Sequence, residues 1–574
     1  MYLLILSFLF FSPQFTYANY EVSNEDKNYF SSPLNIPLFL SGNFGELRNN
    51  HFHSGIDFKT QGKQGLPVYA PADGTVSRIK ISPYGYGIAL YIDHPNGYTT
   101  VYGHLSKYNH AIETYARDIQ YQEESFTIDV PIPAGTFNIS TGDIIAFTGN
   151  TGGSGGPHLH FEIRNTASEH PINPLLFNFD VKDSTKPIIK GLRVYPLSEN
   201  ATVNGKHSPQ TVTLIGENGK YTLAPESKLS TQGKIGLAVY VQDFLDGSRN
   251  RCGIFENTLL LNQDTIYVFR MDEFDFSDSK YANSYVDYAY LKKNRIRYQK
   301  SFVDMNNQMS NFHSLKNQGV FEMHYNDTSA IHYTINDVYG NHSTLDFTIL
   351  GEEKTSLTTM IDSSANYLLC RYSNQTKTRN SVAKFKPNTF YKDQYINHHE
   401  LKRQGNYSPL VCVGNPYIPI HQNYELKINT SNLPTEWHNR VGVSLLDEQF
   451  EAQRFIRGKY ENGQVTVSLN ELGTFAVDID SIKPEIRALS IDNHQSLNNS
   501  KQINFKVLDK QSGISSWRGE LNGEWVLFEY EYKQDKLFYV FDKKRLEMNK
   551  THHLKLDVCD KAGNIATYEA SFYK

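Results

Sequence analysis

The sequence predicts a mainly β protein built as a string of modules, an N-terminal antiparallel β-sheet domain followed by about three β-sandwich (Ig-like) modules. Length, composition and punctuation carry this reading. The chain has 574 residues, too many for one core, and at ~100–200 residues per domain it divides into three to five. It holds 38 Tyr and 34 Phe, with Asn, Ser and Thr prominent among the polar residues, and turn signals recur about every ten residues. Net charge is −5, from 56 basic and 61 acidic residues. With no basic block, nucleic acid is excluded as an expected partner.

The first residues, "MYLLILSFLFFSPQFTYA", carry an apolar run from Tyr2 to Phe11 and read as a signal peptide over residues 1–18. That run falls short of the ~20 residues a membrane helix needs. No later segment is apolar enough to be one. The mature chain is therefore expected to be exported, to the periplasm, the cell surface or the medium, without a transmembrane segment. Cys252, Cys370, Cys412 and Cys559 lie far apart without metal-type spacing. They are expected to be buried thiols, or at most two disulfides, rather than ligands.

Residues 30–180 form the first domain, with β-type runs such as "GLPVYAPADGTVSRI", "GIALYIDHPNGYTTVYGHLS" and "HLHFEIR". Asn96-Gly97 between alternating apolar residues is a strong hairpin signal. A charged, mixed stretch at 107–140 interrupts the pattern and reads as an insertion, partly helical. Beyond residue 180 the chain repeats itself. "DSTKPIIKGLRVYPL" from Asp183 resembles "DSIKPEIRALSI" from Asp480, and the run ending at Asp243 resembles the one around Asp509. The stretch around Asp337 matches that around Asp560, each with Gly-Asn three residues on. Three matches in one order predict two related β-sandwich domains, 183–350 and 480–574, flanking a β-rich domain at 355–478.

The candidate chemistry lies in the first domain. In "GGSGGPHLHFEIR" the period of a strand puts His158 and His160 on one face, and neutral imidazoles suit zinc. In "HFHSGIDFKT" an extended strand would hold His53 and Asp57 ~13 Å apart, too far to share an ion. A bend at Ser54-Gly55 is required for both to reach one. His104, in "VYGHLS", brings a third segment to the cluster. Tyr102, one strand alternation away, is expected to face the same groove as a substrate-binding residue. Arg48 is read either as a contact for a substrate carboxylate or as a plain surface charge, and His94 as a residue that orders the hairpin.

Together, "FGELRNNHFHSGIDF", "GLPVYAPADGTV", "YGIALYIDHPNGYTTVYGHLS", "GDIIAFTGNTGGSGGPHLHFEIR" and "INPLLF" resemble the lysostaphin-type (LytM-like) zinc metallopeptidases, over roughly residues 38–178. That resemblance implies one Zn2+ per chain held by His53, Asp57 and His160, and two further catalytic histidines, His104 and His158. It also implies cleavage of peptide bonds in bacterial peptidoglycan, the peptides of which become the expected partner. The expected mechanism uses metal-activated water, with His158 as general base and His104 steadying the oxyanion, or with those two roles exchanged. The side-chain-poor loop "GNTGGSGG" is expected to let an extended peptide approach closely.

Two other functional classes compete with the peptidase. One is a catalytically silent or autoinhibited envelope protein that binds cell wall or regulates other hydrolases, its groove blocked by the insertion or the sandwich domains. The retention of all five polar positions favours the enzyme. The other is an adhesion array in the C-terminal two-thirds, where the sequence shows neither an aromatic ladder nor a calcium loop.

Overall fold

The computed structural model describes residues 22–353, 365–403 and 407–574. The expected signal peptide, 1–18, lies outside them, as do residues 355–364 at the start of the expected third domain. The chain is mainly β throughout.

The first domain is organised by an antiparallel sheet. Its strands are β1 (Leu40–Gly42), β2 (Ile56–Lys59), β3 (Gly74–Ile81), β4 (Ile88–Asp93), β5 (Tyr98–Leu105), β6 (Ile128–Pro131) and β7 (His158–Asn165). Their order across the sheet is β1-β2-β7-β5-β4-β3-β6. Strand alternation divides β7 cleanly. Leu159, Phe161 and Ile163 are fully buried in the core, which leaves His158, His160, Glu162 and Arg164 on the opposite face. The Asn96-Gly97 turn joins β4 to β5, with Gly97 in the left-handed region at φ +84°, the backbone such a turn requires. A second sheet pairs Ile144–Phe147 with Pro67–Tyr69 and with Lys107–Tyr108, and from it the chain runs on into the loop before His158.

The insertion is helical in its first half. Asn109 caps α1 (His110–Gln122), its side chain accepting a hydrogen bond from the Ile112 amide at 3.1 Å, which satisfies one donor at the helix start. The helix buries Ile112, Ala116 and Gln120. The second half supplies β6, which pairs with β3 and so extends the sheet.

Residues 188–351 build a network of 13 strands. Its apolar core is continuous with that of the first domain, running from Val22 to Ile349 and taking in Tyr391 of the next unit. Phe274 packs its ring 5.3 Å from Phe44 and 5.9 Å from Phe52. Asn43 and Gly253 exchange two hydrogen bonds, at 2.8 and 2.7 Å, across the same junction. The first domain and the strands that follow it are thus one packed body. Residues 365–480 place two five-stranded sheets around a separate core, and residues 485–573 a four- and a five-stranded sheet around another. All four cysteines are free thiols, and among the described residues no helix is long and apolar enough to cross a membrane.

The shared core has a measurable consequence. Phe274→Ala removes a side chain that is 1% exposed and is expected to lower unfolding free energy by about 3–5 kcal/mol. Denaturant unfolding followed by far-UV circular dichroism checks it, and a loss below about 1 kcal/mol would argue that the junction is not a core.

Candidate functional site

His53, Asp57 and His160 meet because two local features bring them together. The chain bends at Ser54-Gly55 between His53 and β2, and a Cβ on Gly55 would stand 2.3 Å from the Phe161 carbonyl oxygen, so only glycine lets the bend pack against β7. Across the sheet, Asp57 and His160 are direct partners in register. Three donor atoms result. His53 Nε2 lies 3.1 Å from Asp57 Oδ1 and 3.1 Å from His160 Nδ1, and the latter two are 3.0 Å apart. All three residues are buried, at 7%, 5% and 3% exposure. They form one group able to hold a metal ion.

The hydrogen bonds behind these side chains turn those atoms toward one another. His53 Nδ1 lies 2.7 Å from the Asn43 carbonyl; a carbonyl only accepts, so Nδ1 carries the hydrogen and Nε2 keeps its lone pair. His160 Nε2 lies 2.8 Å from Glu162 Oε1, which leaves Nδ1 turned toward Asp57 and His53. Burial alone would lower the pKa of His160, but its hydrogen bonds to Asp57 and Glu162 outweigh that and push it up to about 9. Burial acts to raise Asp57, yet His53 and the histidine hydrogen bonds around it hold its carboxyl well below the usual carboxylate range.

His104 and His158 stand beside this group, their ring centroids 4.7 Å apart, with His104 5.8 Å from His160. His158 Nε2 is 3.4 Å from Asp57 Oδ1. His104 sits in β5 at φ +60°, within a bulge where β5 carries one residue more than β4. A left-handed histidine in a strand is a strained conformation of the kind found at functional sites. Its Nδ1 donates to the Thr151 carbonyl at 2.8 Å, and His158 Nδ1 to that of Gly156 at 2.8 Å. In the neutral rings, both Nε2 atoms are therefore acceptors. Burial, with the neighbouring His160 and His158, pushes His104 down to about 3, which keeps it neutral.

The bulge also corrects one expectation. Tyr102 does not face the groove. It is fully buried, opposite Phe161 in register, and its hydroxyl lies 2.8 Å from that of Thr100. Simple alternation puts Tyr102 and His104 on one face, but the extra residue at Gly103-His104 turns only the histidine toward the site. Arg48 is not a free surface charge, since its Nη2 pairs with Asp57 Oδ2 at 3.0 Å and Glu46 at 3.1 Å. His94 bridges the Asp73 carbonyl and Thr100, each at 2.8 Å, and so braces the hairpin.

Glu162 is the residue that sequence reasoning passed over. It is fully buried and receives Ser54 Oγ and Tyr86 Oη at 2.6 Å each, as well as Arg164 Nε at 2.6 Å. These contacts fix the carboxylate that orients His160. The signal was present in "HLHFEIR", where His158, His160, Glu162 and Arg164 share one face. The glycine loop is also read differently in three dimensions. A Cβ on Gly152 would stand 2.3 Å from the Gly87 amide, whereas Gly155 and Gly156 have open space around them. Only part of the loop is bare toward solvent.

Residues 51–117 match the family model described as Peptidase family M23, and residues 365–480 one described as a Zu5-like domain. The chain is 37% identical over 129 residues to the DD-carboxypeptidase/endopeptidase Mpg of Neisseria meningitidis, covering 22% of this chain and 23% of that protein. It is 32% identical over 158 residues to the peptidoglycan DD-endopeptidase ShyA of Vibrio cholerae, covering 26% and 30%. Among solved structures, the catalytic domain of lysostaphin from Staphylococcus simulans is 26% identical, with 24% of this chain and 90% of that one covered and a TM-score of 0.18. The chain therefore spans less than a third of the two curated relatives. With a match that includes His53, Asp57 and His104, this chain carries a peptidase family M23 domain.

Proposed function

We propose that this protein is an exported zinc metalloendopeptidase that hydrolyses peptide bonds in the stem peptides or cross-links of bacterial peptidoglycan. The observation that carries the reading is the triangle of His53 Nε2, Asp57 Oδ1 and His160 Nδ1, with edges of 3.0–3.1 Å. Ligands at ~2.0–2.1 Å in a tetrahedron lie about 3.3 Å apart, and two imidazoles with one carboxylate are a zinc donor set that leaves a position for water. Glu162, holding His160 through its other ring nitrogen, is the outer carboxylate that zinc-binding histidines commonly have. When bound, zinc supplies Lewis-acid activation of water and of the scissile carbonyl.

The chain's own residues supply the proton handling. His158 and His104, each fixed by an Nδ1–H bond to a backbone carbonyl, offer acceptor Nε2 atoms beside the triangle. One of them takes a proton from the attacking water, and the protonated ring becomes the donor for the developing oxyanion and then for the leaving amine. His158, next to Asp57, is assigned the base role. The substrate class rests on the named activities of the relatives, and the open ground at Gly155 and Gly156 suits a slim peptide beside His158.

A second reading, latency, is favoured by one set of contacts. Lys533 donates to the carbonyls of Asn150 and Ser154 in the loop that precedes His158. Tyr532 packs 5.0 Å from Tyr84, Trp525 5.2 Å from Tyr121, and Arg518 pairs with Glu124 at 2.6 Å. The last β-sheet unit thus lies against the insertion and one wall of the groove.

His160→Ala is expected to abolish both zinc content, read by atomic absorption, and muropeptide release, read by chromatography. If the wild type holds zinc yet cleaves no peptidoglycan, the silent-binder reading gains. Glu162→Gln is expected to weaken zinc affinity about 10- to 100-fold; unchanged affinity in a chelator competition would remove its orienting role. His158→Ala should keep its zinc while kcat falls about 10²–10⁴-fold, and a kcat within threefold of wild type would take the base role from it. For latency, Lys533→Ala combined with Arg518→Ala is expected to raise the rate of muropeptide release severalfold, whereas an equal or lower rate counts against a covered groove.

A further inference from the structure

The repeat in the C-terminal two-thirds places three aspartates at equivalent positions of two β-sheet units. In the first, Asp183 precedes strand Ile188–Pro196, Asp243 follows strand Ser230–Gln242, and Asp337 follows strand Thr328–Asn336. In the second, Asp480 precedes Glu485–Ala488, Asp509 follows Gln502–Leu508, and Asp560 ends Thr551–Asp560. Within each set, one carboxylate oxygen from every aspartate lies within 4.8 Å of the others. Asn341 and Asn564 repeat as well. Each donates its side-chain amide at 2.8 Å to the third aspartate, and to the main-chain carbonyl of the first, at 3.3 Å in one unit and 2.9 Å in the other.

Geometry alone would leave two acidic clusters, but the oxygens themselves call for a ligand. Asp243 is 2% and Asp480 0% exposed. Even so, Asp243 Oδ1 and Asp480 Oδ2 accept no hydrogen bond from any described residue, and neither does Asp183 Oδ2. An unpaired buried carboxylate oxygen is costly. Burial, with the charges of Asp183 and Asp337, pushes Asp243 up to about 8. Burial, with Asp509 and Asp560 adding repulsion against a hydrogen bond from Ser512, also raises Asp480. The same arrangement, reached twice through three separate chain segments, joins each linker to the ends of two strands of the unit it enters.

We propose that each of these units binds one divalent cation of the calcium class, through Asp183, Asp243 and Asp337 in the first and Asp480, Asp509 and Asp560 in the second. An all-oxygen donor set of carboxylates suits a hard ion, and a loose set drawn from three segments suits calcium better than magnesium, which demands a tight octahedron. The bound ion staples the linker to its sheet. In the first unit the triad lines a small cavity together with Asn43 and Asn173 of the peptidase domain, and in the second the linker leads directly from strand Gly473–Ile479 of the preceding unit. Neither triad shares a residue with His53, Asp57 or His160.

The full chain, stripped with EDTA and reloaded with one equivalent of zinc, is dialysed against CaCl2 up to about 1 mM, the range of extracellular calcium modules, and bound calcium is counted. The expected result is two equivalents per chain, falling to one in Asp243→Asn and one in Asp509→Asn, and resisting about a tenfold excess of magnesium. Wild-type protein that takes up no calcium would overturn the proposal and favour carboxyls that share protons instead. Stoichiometry unchanged in both variants, or displacement by equimolar magnesium, would overturn the assigned residues or the ion class. Calcium is also expected to raise the melting midpoint of the unsubstituted chain, and a midpoint that does not move with calcium contradicts the staple even if a variant fails to fold.

Discussion

The whole arrangement depends on keeping three buried polar side chains within 3.1 Å of one another. Left to themselves, a carboxylate and two imidazoles in a dry interior are unfavourable. Each is held from behind instead. Asn43 takes the His53 proton, Arg48 takes the outer Asp57 oxygen, and Glu162 takes His160, itself neutralised by Arg164. The site's donor atoms face inward because the opposite atom of every ligand is already occupied.

This dependence reaches beyond the first domain. Asn43, whose carbonyl orients His53, is gripped through its side chain by Gly253, and the core is shared up to Ile349. The strands after the peptidase-like unit thus complete it as well as follow it. At the other end of the chain, Lys533 and Arg518 reach back to the loop before His158 and to Glu124 in the insertion. The units beyond residue 365 keep cores of their own, with Tyr391 alone among them joining the shared core.

Much of this was legible in the sequence. The mainly β class follows from aromatic-rich, turn-punctuated runs, and the bend at Ser54-Gly55 follows from the spacing of His53 and Asp57. The alternation of "HLHFEIR" gives the face of His158 and His160 and, read two steps further, Glu162 and Arg164. Tyr102 was misplaced because a bulge breaks alternation, and no residue type announces a bulge when its left-handed position is a histidine instead of a glycine. The shared core was equally hidden, since Phe44 and Phe274 are ordinary apolar residues whose meeting is decided by tertiary packing. The acidic triads escape a search for calcium loops because each is gathered from three segments and no contiguous loop contains it.

Anomalous scattering at the zinc absorption edge, from crystals of the full chain, addresses the central claim most directly. The account requires a single strong peak bounded by His53 Nε2, Asp57 Oδ1 and His160 Nδ1, with Glu162 still against the far nitrogen of His160. A peak on other residues, or none from zinc-supplied protein, would contradict it.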